Sequence, residues 1–245
     1  MYWDRLTTRR FAELMPEVRT VLLPTGTVEA HGLHCPLGTD NFAPAALAER
    51  LEARYPDRLL VAPAIPYGHS WELEEWPGTL SIPAEALERY VAEVGKAFLR
   101  WGVRDIVVIN GHGGNNGALG HAAEAIADAG GRVVITNWWL DWRDDILTVT
   151  GGQGHAGEDE TSVMLALHPD WVEMEHAVFN PHQPKYRVKD RAARQVMLRQ
   201  AVTGDGRGGT AAKGERILEL VVDRLDQLLQ DLWRDDLFQS RGQAP

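Results

Sequence analysis

The chain has 245 residues, 44% hydrophobic and 24% charged, which is enough for one large α/β domain or two small ones and excludes disorder as the dominant state. A formal net charge of −10 with scattered basic residues argues against a nucleic-acid partner, because the chain would repel a phosphate backbone. The single cysteine, Cys35, excludes an internal disulfide and a multi-cysteine zinc site, so we expect a reducing compartment, the cytoplasm.

Targeting and linker signals are missing from the sequence. No apolar run approaches the ~18 residues of a membrane helix, and the first residues lack the basic and apolar blocks of a signal peptide. There is also no internal repeat or low-complexity linker. We therefore expect no membrane partner and a single domain over residues 1–245.

The first half of the chain alternates short apolar runs with amphipathic segments. The predicted strands are 18–24, 59–65, 105–110 and 132–136, and the predicted helices are 41–54, 83–101 and 118–129. Such alternation predicts a mostly parallel sheet with helices on both faces, because right-handed crossovers place the helices there. The expected fold class is α/β, a three-layer sandwich.

The last third of the chain predicts a helix over 158–167 and a long amphipathic helix over 211–233. Between them, residues 179–189 are rich in proline and charge and predict a surface loop or an oligomer arm. In open parallel sheets, ligands bind beyond the carboxyl ends of the strands. The functional residues are therefore expected directly after the predicted strands.

Metal-binding side chains are concentrated at those places. Glu29, His31 and Asp40 follow the first strand, His112 follows the third, and Glu160 opens a later helix. Carboxylates and imidazoles suit Zn²⁺, Mn²⁺ or Fe²⁺. Because separate segments deliver these side chains to one edge of the sheet, we expect a divalent-metal site.

The glycine-rich turn 111–117 is also a candidate nucleotide site. It has Asn116 where G-x-G-x-x-G needs a glycine, and it holds no G-x-x-x-x-G-K-[ST] motif. We interpret it as a tight strand-to-helix turn with His112 at its tip and Asn115 or Asn116 as the N-cap of the next helix.

Several ordered segments resemble the creatininase (creatinine amidohydrolase) superfamily. They are LPTGTVEAHGLH (23–34), GTD (38–40), VINGHGGN (108–115), HAGEDETSVMLA (155–166) and TAAKGE (210–215). The resemblance implies a three-layer α/β fold, a divalent-metal centre that usually holds two ions, and a homo-oligomer, often a hexamer. It implies that Glu29 and His112 bind one ion, that His31 binds the other, and that Asp40 bridges both.

One family ligand has no counterpart in this chain. In creatininases the histidine of the Asn-Gly-His motif is followed by Tyr-Glu, and that glutamate binds the second metal. Here Gly113 and Gly114 occupy these places. We expect Glu160 to supply the missing ligand; the alternative is a weak second site or an enzyme with one ion.

The resemblance also weighs against creatinine as the substrate. The creatinine pocket uses the tyrosine after the metal-binding histidine and a Trp-Asp pair later in the chain, where this sequence has Gly113 and Gly151–Gly152. Trp139 matches an aromatic gate residue of the family. The expected substrate contacts are Trp139, Ser70, Gly113 and Trp138.

The expected nucleophile is water activated by two metal ions. His155 is expected to carry a proton to the departing nitrogen, oriented by Glu158 or Glu160, so Glu160 is either a ligand or an orienting group. Three functions stay open: hydrolysis of a C–N bond in an amide, cyclic amide, formamide or peptide end; hydrolysis of an oxidised polyol or keto-sugar ring of the inosose type; and non-catalytic binding of a metal or ligand. Both enzymatic alternatives imply a small-molecule substrate.

Overall fold

Four parallel strands form the central sheet in the computed structural model, which describes residues 1–181, 186 and 188–237. The strand order is β2-β1-β3-β4. The bounds are β1 Thr20–Thr25, β2 Leu59–Val61, β3 Asp105–Asn110 and β4 Arg132–Asn137, and a separate antiparallel pair is formed by β5 Phe179–Asn180 and β6 Gly204–Asp205.

Eight α-helices lie in the described part of the chain. They are α1 Thr8–Leu14, α2 Thr39–Arg54, α3 Ala84–Leu99, α4 Asn116–Ala127, α5 Arg143–Ile146, α6 Glu158–Leu167, α7 Arg191–Met197 and α8 Ala211–Trp233. The predicted bounds of α6 and α8 are confirmed, as are those of β3. Within the described residues, none of these helices combines the length and the apolar character that crossing a membrane requires.

Two hydrophobic cores lie on opposite faces of the sheet. Alternate residues of β1 point to opposite sides, as the twofold period of a strand requires. Leu22 packs with the apolar faces of α2 and α8, whereas Val21 and Leu23 pack with α3 and α4. The three-layer α/β sandwich with a parallel sheet is therefore confirmed, and the edge formed by the strand ends is where the sequence predicts the site.

Two predicted elements differ from the structure. The second strand ends at Val61 rather than at residue 65, because Pro63 has no N–H to donate to a neighbouring strand; Ile65 returns to the sheet only through an isolated bridge to Thr25. The start of the predicted loop 179–189 is a short strand. Residues 182–185 and 187 of that segment lie outside the described residues.

Asn115, one of the two predicted candidates, is the N-cap residue of α4, but its side chain does not cap the helix. A 3-10 turn over Gly113–Asn115 precedes the helix. The amide of Asn115 instead donates to the carbonyl of Gly26 at 3.0 Å and accepts from the N–H of His69 at 3.0 Å. Asn115 therefore ties the turn to two neighbouring loops.

Helices α6 and α8 approach closely at Gly214, which yields a test of the fold. A Cβ atom at this position would lie 1.8 Å from the carbonyl oxygen of Ser162. Gly214→Ala must push the helices apart, so we expect the free energy of unfolding to fall by about 1–3 kcal/mol in urea denaturation. Gly120→Ala is the control, because a Cβ there meets nothing within 4 Å and alanine favours the helix by up to about 1 kcal/mol. Equal stability of the Gly214→Ala and wild-type proteins would contradict this packing.

Candidate metal centre

Two glycines let the first turn of α2 approach the ends of β1 and β3. A Cβ on Gly26 or on Gly111 would lie 2.3 Å or 2.0 Å, respectively, from the carbonyl oxygen of Asp40. Any side chain at these positions would therefore displace Asp40. The Asp40 carboxylate, 3% exposed, is held between the two strand ends.

The loop after β1 folds back and presents two side chains to Asp40. The N–H of Glu29 donates to the carbonyl of Leu37 at 2.9 Å, and His31 pairs with Cys35 in an antiparallel bridge. The side chains of Glu29 and His31 are both buried. His31 Nε2 lies 2.9 Å from Asp40 Oδ1.

Asn110 at the end of β3 fixes the backbone of His112. The fully buried amide of Asn110 donates to the carbonyl of His112 at 2.7 Å and accepts from its N–H at 3.2 Å. His112 Nδ1 then lies 2.9 Å from Asp40 Oδ2 and 3.2 Å from Glu29 Oε1.

The start of α6 delivers the remaining two side chains. Glu160 Oε2 accepts from the N–H of Ala156 at 2.7 Å and lies 3.5 Å from His31 Nε2. His155 Nδ1 lies 3.6 Å from Glu29 Oε1, and the rings of His155 and His31 are 4.2 Å apart. The structure therefore brings together all six residues that the sequence predicts as metal-binding or catalytic.

Each of the three histidines donates one ring N–H to a backbone carbonyl. Because a carbonyl oxygen only accepts, each contact fixes which ring nitrogen carries the proton. The pairs are His31 Nδ1 with Glu29 at 3.1 Å, His112 Nε2 with His69 at 3.0 Å, and His155 Nε2 with Ala30 at 2.8 Å. In a neutral ring, the other nitrogen then directs its lone pair at the carboxylates.

This arrangement fits divalent cations. Within this centre, three groups have ligand atoms that lie within 4.8 Å of one another: Glu29–Asp40–His112, His31–Asp40–Glu160 and Glu29–His31–His155. His31 Nε2 and Asp40 Oδ2 are buried and face other ionisable groups of the centre: His31 Nε2 lies beside Asp40 and Glu160, and Asp40 Oδ2 lies beside His112. Converging buried carboxylates are unfavourable without a compensating cation. Because two of these groups share Asp40, the arrangement suits a pair of ions.

The ionisable side chains of the centre shift one another's pKa values. Burial lowers the pKa of His31, but Asp40 and Glu160 outweigh it and raise that pKa to about 10. Burial raises the pKa of Glu160 to about 8, although His31 opposes the rise. Burial, together with His31, lowers the pKa of His155 to about 4. A cation that binds to these side chains would therefore displace the protons that they carry.

The four residues that we expect to contact the substrate differ in their burial and in their neighbours. Gly113 is exposed, and a Cβ there would lie 3.7 Å from Trp139 Cζ2, so these two residues are neighbours beside His112. Trp138 is 2% exposed and packs in the core, so it offers no surface to a substrate. Ser70 is also buried, and its hydroxyl pairs with that of Thr27 at 2.7 Å.

The orienting partner of His155 is not a carboxylate of α6. Glu158 Oε1 pairs with Lys213 Nζ at 2.5 Å, and Glu158 Oε2 accepts from the N–H of Gly151 at 2.8 Å. The carbonyl of Ala30 holds the ring of His155 instead. Sequence reasoning missed this group because every residue has a carbonyl, so no residue type signals it.

This chain is similar to creatininases in both sequence and structure. The family model "Creatininase: Creatinine amidohydrolase" matches residues 4–229. A similar solved structure, described as "Creatininase Mn", has a TM-score of 0.82 and 25% identity and covers 94% of this chain and 97% of its own. A mutant creatininase of Zn-Zn type is also similar, with a TM-score of 0.81 and 25% identity over 94% and 97% of the two chains.

Three curated relatives cover most of the chain. The mycofactocin precursor peptide peptidase of Mycolicibacterium smegmatis is 36% identical, over 94% of this chain and 90% of the relative. The creatinine amidohydrolase of Pseudomonas putida is 29% identical over 86% and 88%. The 3-dehydro-scyllo-inosose hydrolase of Thermotoga maritima is 26% identical over 95% and 83%.

Removing ligands should change the metal content of the purified protein. We expect His31→Ala and Asp40→Ala to lose bound metal, because each removes a buried ligand atom from the groups that would hold the ions. His155→Ala should keep the bound metal, because Glu29 still contacts His112 and His31 still contacts Asp40. Elemental analysis after gel filtration measures this. Wild-type metal content in all three variants would refute the site.

Glu160 gives a sharper test of the second ion. Glu160→Gln should reduce the metal content from two equivalents to one, because it removes an anionic ligand from only one of the two groups that share Asp40. Glu158→Gln, in the same helical turn, should keep two equivalents because Glu158 pairs with Lys213. Metal content that Glu160→Gln leaves unchanged would exclude Glu160 as a ligand.

Proposed function

We propose that this chain, which belongs to the creatininase family of amidohydrolases, hydrolyses an amide C–N bond of a short peptide with the aid of two divalent metal ions. The observation that carries the proposal is the sharing of the Asp40 carboxylate by two groups of buried ligand atoms. The greater identity to a peptide peptidase than to the creatinine and inosose hydrolases supports a peptide as substrate.

The residues divide naturally between two ions. Glu29, Asp40 and His112 would hold one, and His31, Asp40 and Glu160 the other. When bound, such ions polarise a substrate carbonyl and lower the pKa of water to about 7. The similar solved structures of Mn and Zn-Zn type support Mn²⁺ or Zn²⁺ as the bound metal. Fe²⁺ is a further candidate, because it prefers the same types of ligand.

His155 is suited to move the proton that hydrolysis requires. Its Nε2–H is held by the carbonyl of Ala30, so Nδ1 faces the centre beside Glu29. When the ring is neutral, Nδ1 carries the lone pair and is placed to accept a proton from the attacking water. The same atom then donates that proton to the departing amine.

The residue after His112 supports a substrate other than creatinine. Gly113 stands where the family's creatinine pocket has a tyrosine, so that contact with creatinine is missing here. The half-buried indole of Trp139 is the neighbour of Gly113. We propose that Trp139 and Gly113 contact the chain of the peptide on one side of the bond that is cleaved.

A keto-sugar ring of the inosose type is the second candidate substrate, supported by the 26% identical relative. The third interpretation, a non-catalytic binding protein, depended on the missing family glutamate. The carboxylate of Glu160 lies within 4.8 Å of the ligand atoms of His31 and Asp40, which supports Glu160 as the replacement for that glutamate. We further propose one catalytic domain over residues 1–245, a cytoplasmic location and a homo-oligomer such as a hexamer.

A substrate panel tests the proposed reaction. With Mn²⁺ or Zn²⁺ present, we expect kcat/KM to be higher for short peptides than for creatinine or 3-dehydro-scyllo-inosose, and a chelator should abolish turnover. His155→Ala should lower kcat by about 10²–10⁴-fold, because general acid–base catalysis contributes this much. Hydrolysis of the keto-sugar alone would establish the second candidate, and a metal-loaded protein inert to every compound would contradict both.

A further inference from the structure

Residues 198–205, which we call the strap, run between α7 and the turn after β6 and contact the two loops that carry His31 and His155. The carbonyl of Ala201 accepts from the N–H of Gly32 at 2.8 Å. Thr203 donates its N–H to the carbonyl of His155 at 2.9 Å. Its hydroxyl Oγ1 accepts from the N–H of His155 at 2.8 Å. The strap therefore connects both histidine loops.

The conformation of the strap is unusual and firmly held. Gln200 and Ala201 have φ values of 57° and 51°, in the left-handed region that non-glycine residues rarely adopt. The buried amide of Asn180 in β5 donates to the carbonyls of Met197 and Val202, at 3.0 Å and 2.6 Å. Strained backbone persists only where its surroundings determine it, and it is concentrated at functional sites.

The strap lies directly against the loop that carries His155. A Cβ atom on Gly154 would be 1.9 Å from the carbonyl oxygen of Thr203, so only glycine permits this contact. His155 is consequently held both by its backbone and by its ring. Thr203 binds its backbone, and the carbonyl of Ala30 binds its ring at Nε2.

We propose that Thr203 is a positioning residue for His155, and that its hydroxyl sets the direction in which His155 Nδ1 faces the centre. The proposal rests on the proposed function, because it takes His155 as the group that moves the proton. The hydrogen bonds between Thr203 and His155 join backbone atoms of His155 and not the ring nitrogens that face the centre. The effect of Thr203 should therefore appear in turnover and not in metal content.

Thr203→Val tests the proposal, because valine keeps the shape of threonine and removes the acceptor. We expect kcat for the best peptide substrate to fall by about 10- to 100-fold, since a small misplacement of a catalytic group has an effect of this size. KM and metal content should stay close to wild type, and the melting temperature should fall by no more than a few degrees, because the N–H of His155 loses its acceptor. Thr203→Ser should recover most of the lost kcat.

A matched control comes from a second threonine. The hydroxyl of Thr148 donates to the carbonyl of Asp145 within its own turn. Thr148→Val should leave kcat and metal content unchanged. A kcat retained by Thr203→Val, a joint loss of metal and activity, or a Thr203→Ser protein as slow as Thr203→Val would each overturn the proposal.

A second readout separates this proposal from the proposed function. In NMR spectra of zinc-loaded protein with ¹⁵N-labelled histidine, the Nε2–H of His155 should exchange slowly because it is bonded to Ala30. We expect faster exchange in Thr203→Val and slow exchange in Thr203→Ser. If no amide is hydrolysed by the wild type, the proposed function fails, while these spectra still decide whether Thr203 positions His155.

Discussion

The site depends on the carboxylate of Asp40, which is held where two parallel strands end. Gly26 and Gly111 permit this because the backbone of α2 rests against both glycines at a distance that no side chain allows. His31 and His112 contact opposite oxygens of the same carboxylate, at 2.9 Å in each case. Displacing Asp40 would therefore remove the shared ligand from both groups of metal-binding atoms at once.

Charge balance joins this geometry to chemistry. Glu29, Asp40 and Glu160 are all buried in one place, and buried carboxylates need positive charge nearby. In the protein alone, the high pKa values of His31 and Glu160 show that protons supply part of this compensation. Divalent cations would supply it at neutral pH and stabilise the fold by binding to the native state only. The carbonyls that fix the histidine rings prepare the lone pairs for that exchange.

Much of the fold and the site follows from sequence patterns with a physical period or a topological rule. The amphipathic period predicts α8, and the rule that sites lie beyond parallel strand ends selects Glu29, Asp40 and His112. Features that depend on backbone atoms could not be predicted. The carbonyl of Ala30, the strap and the short β5–β6 pair carry no residue-type signal. The burial of Trp138 was also missed, because a tryptophan after a strand suits a core and a site equally well.

Anomalous diffraction from crystals of the metal-loaded protein, recorded above and below the absorption edge of the bound metal, would locate the ions relative to Asp40. We expect two peaks about 3.5–4 Å apart, as in two-metal hydrolases, with the Asp40 carboxylate between them. Peaks confined to the protein surface, or density in which Asp40 touches no metal, would contradict this arrangement.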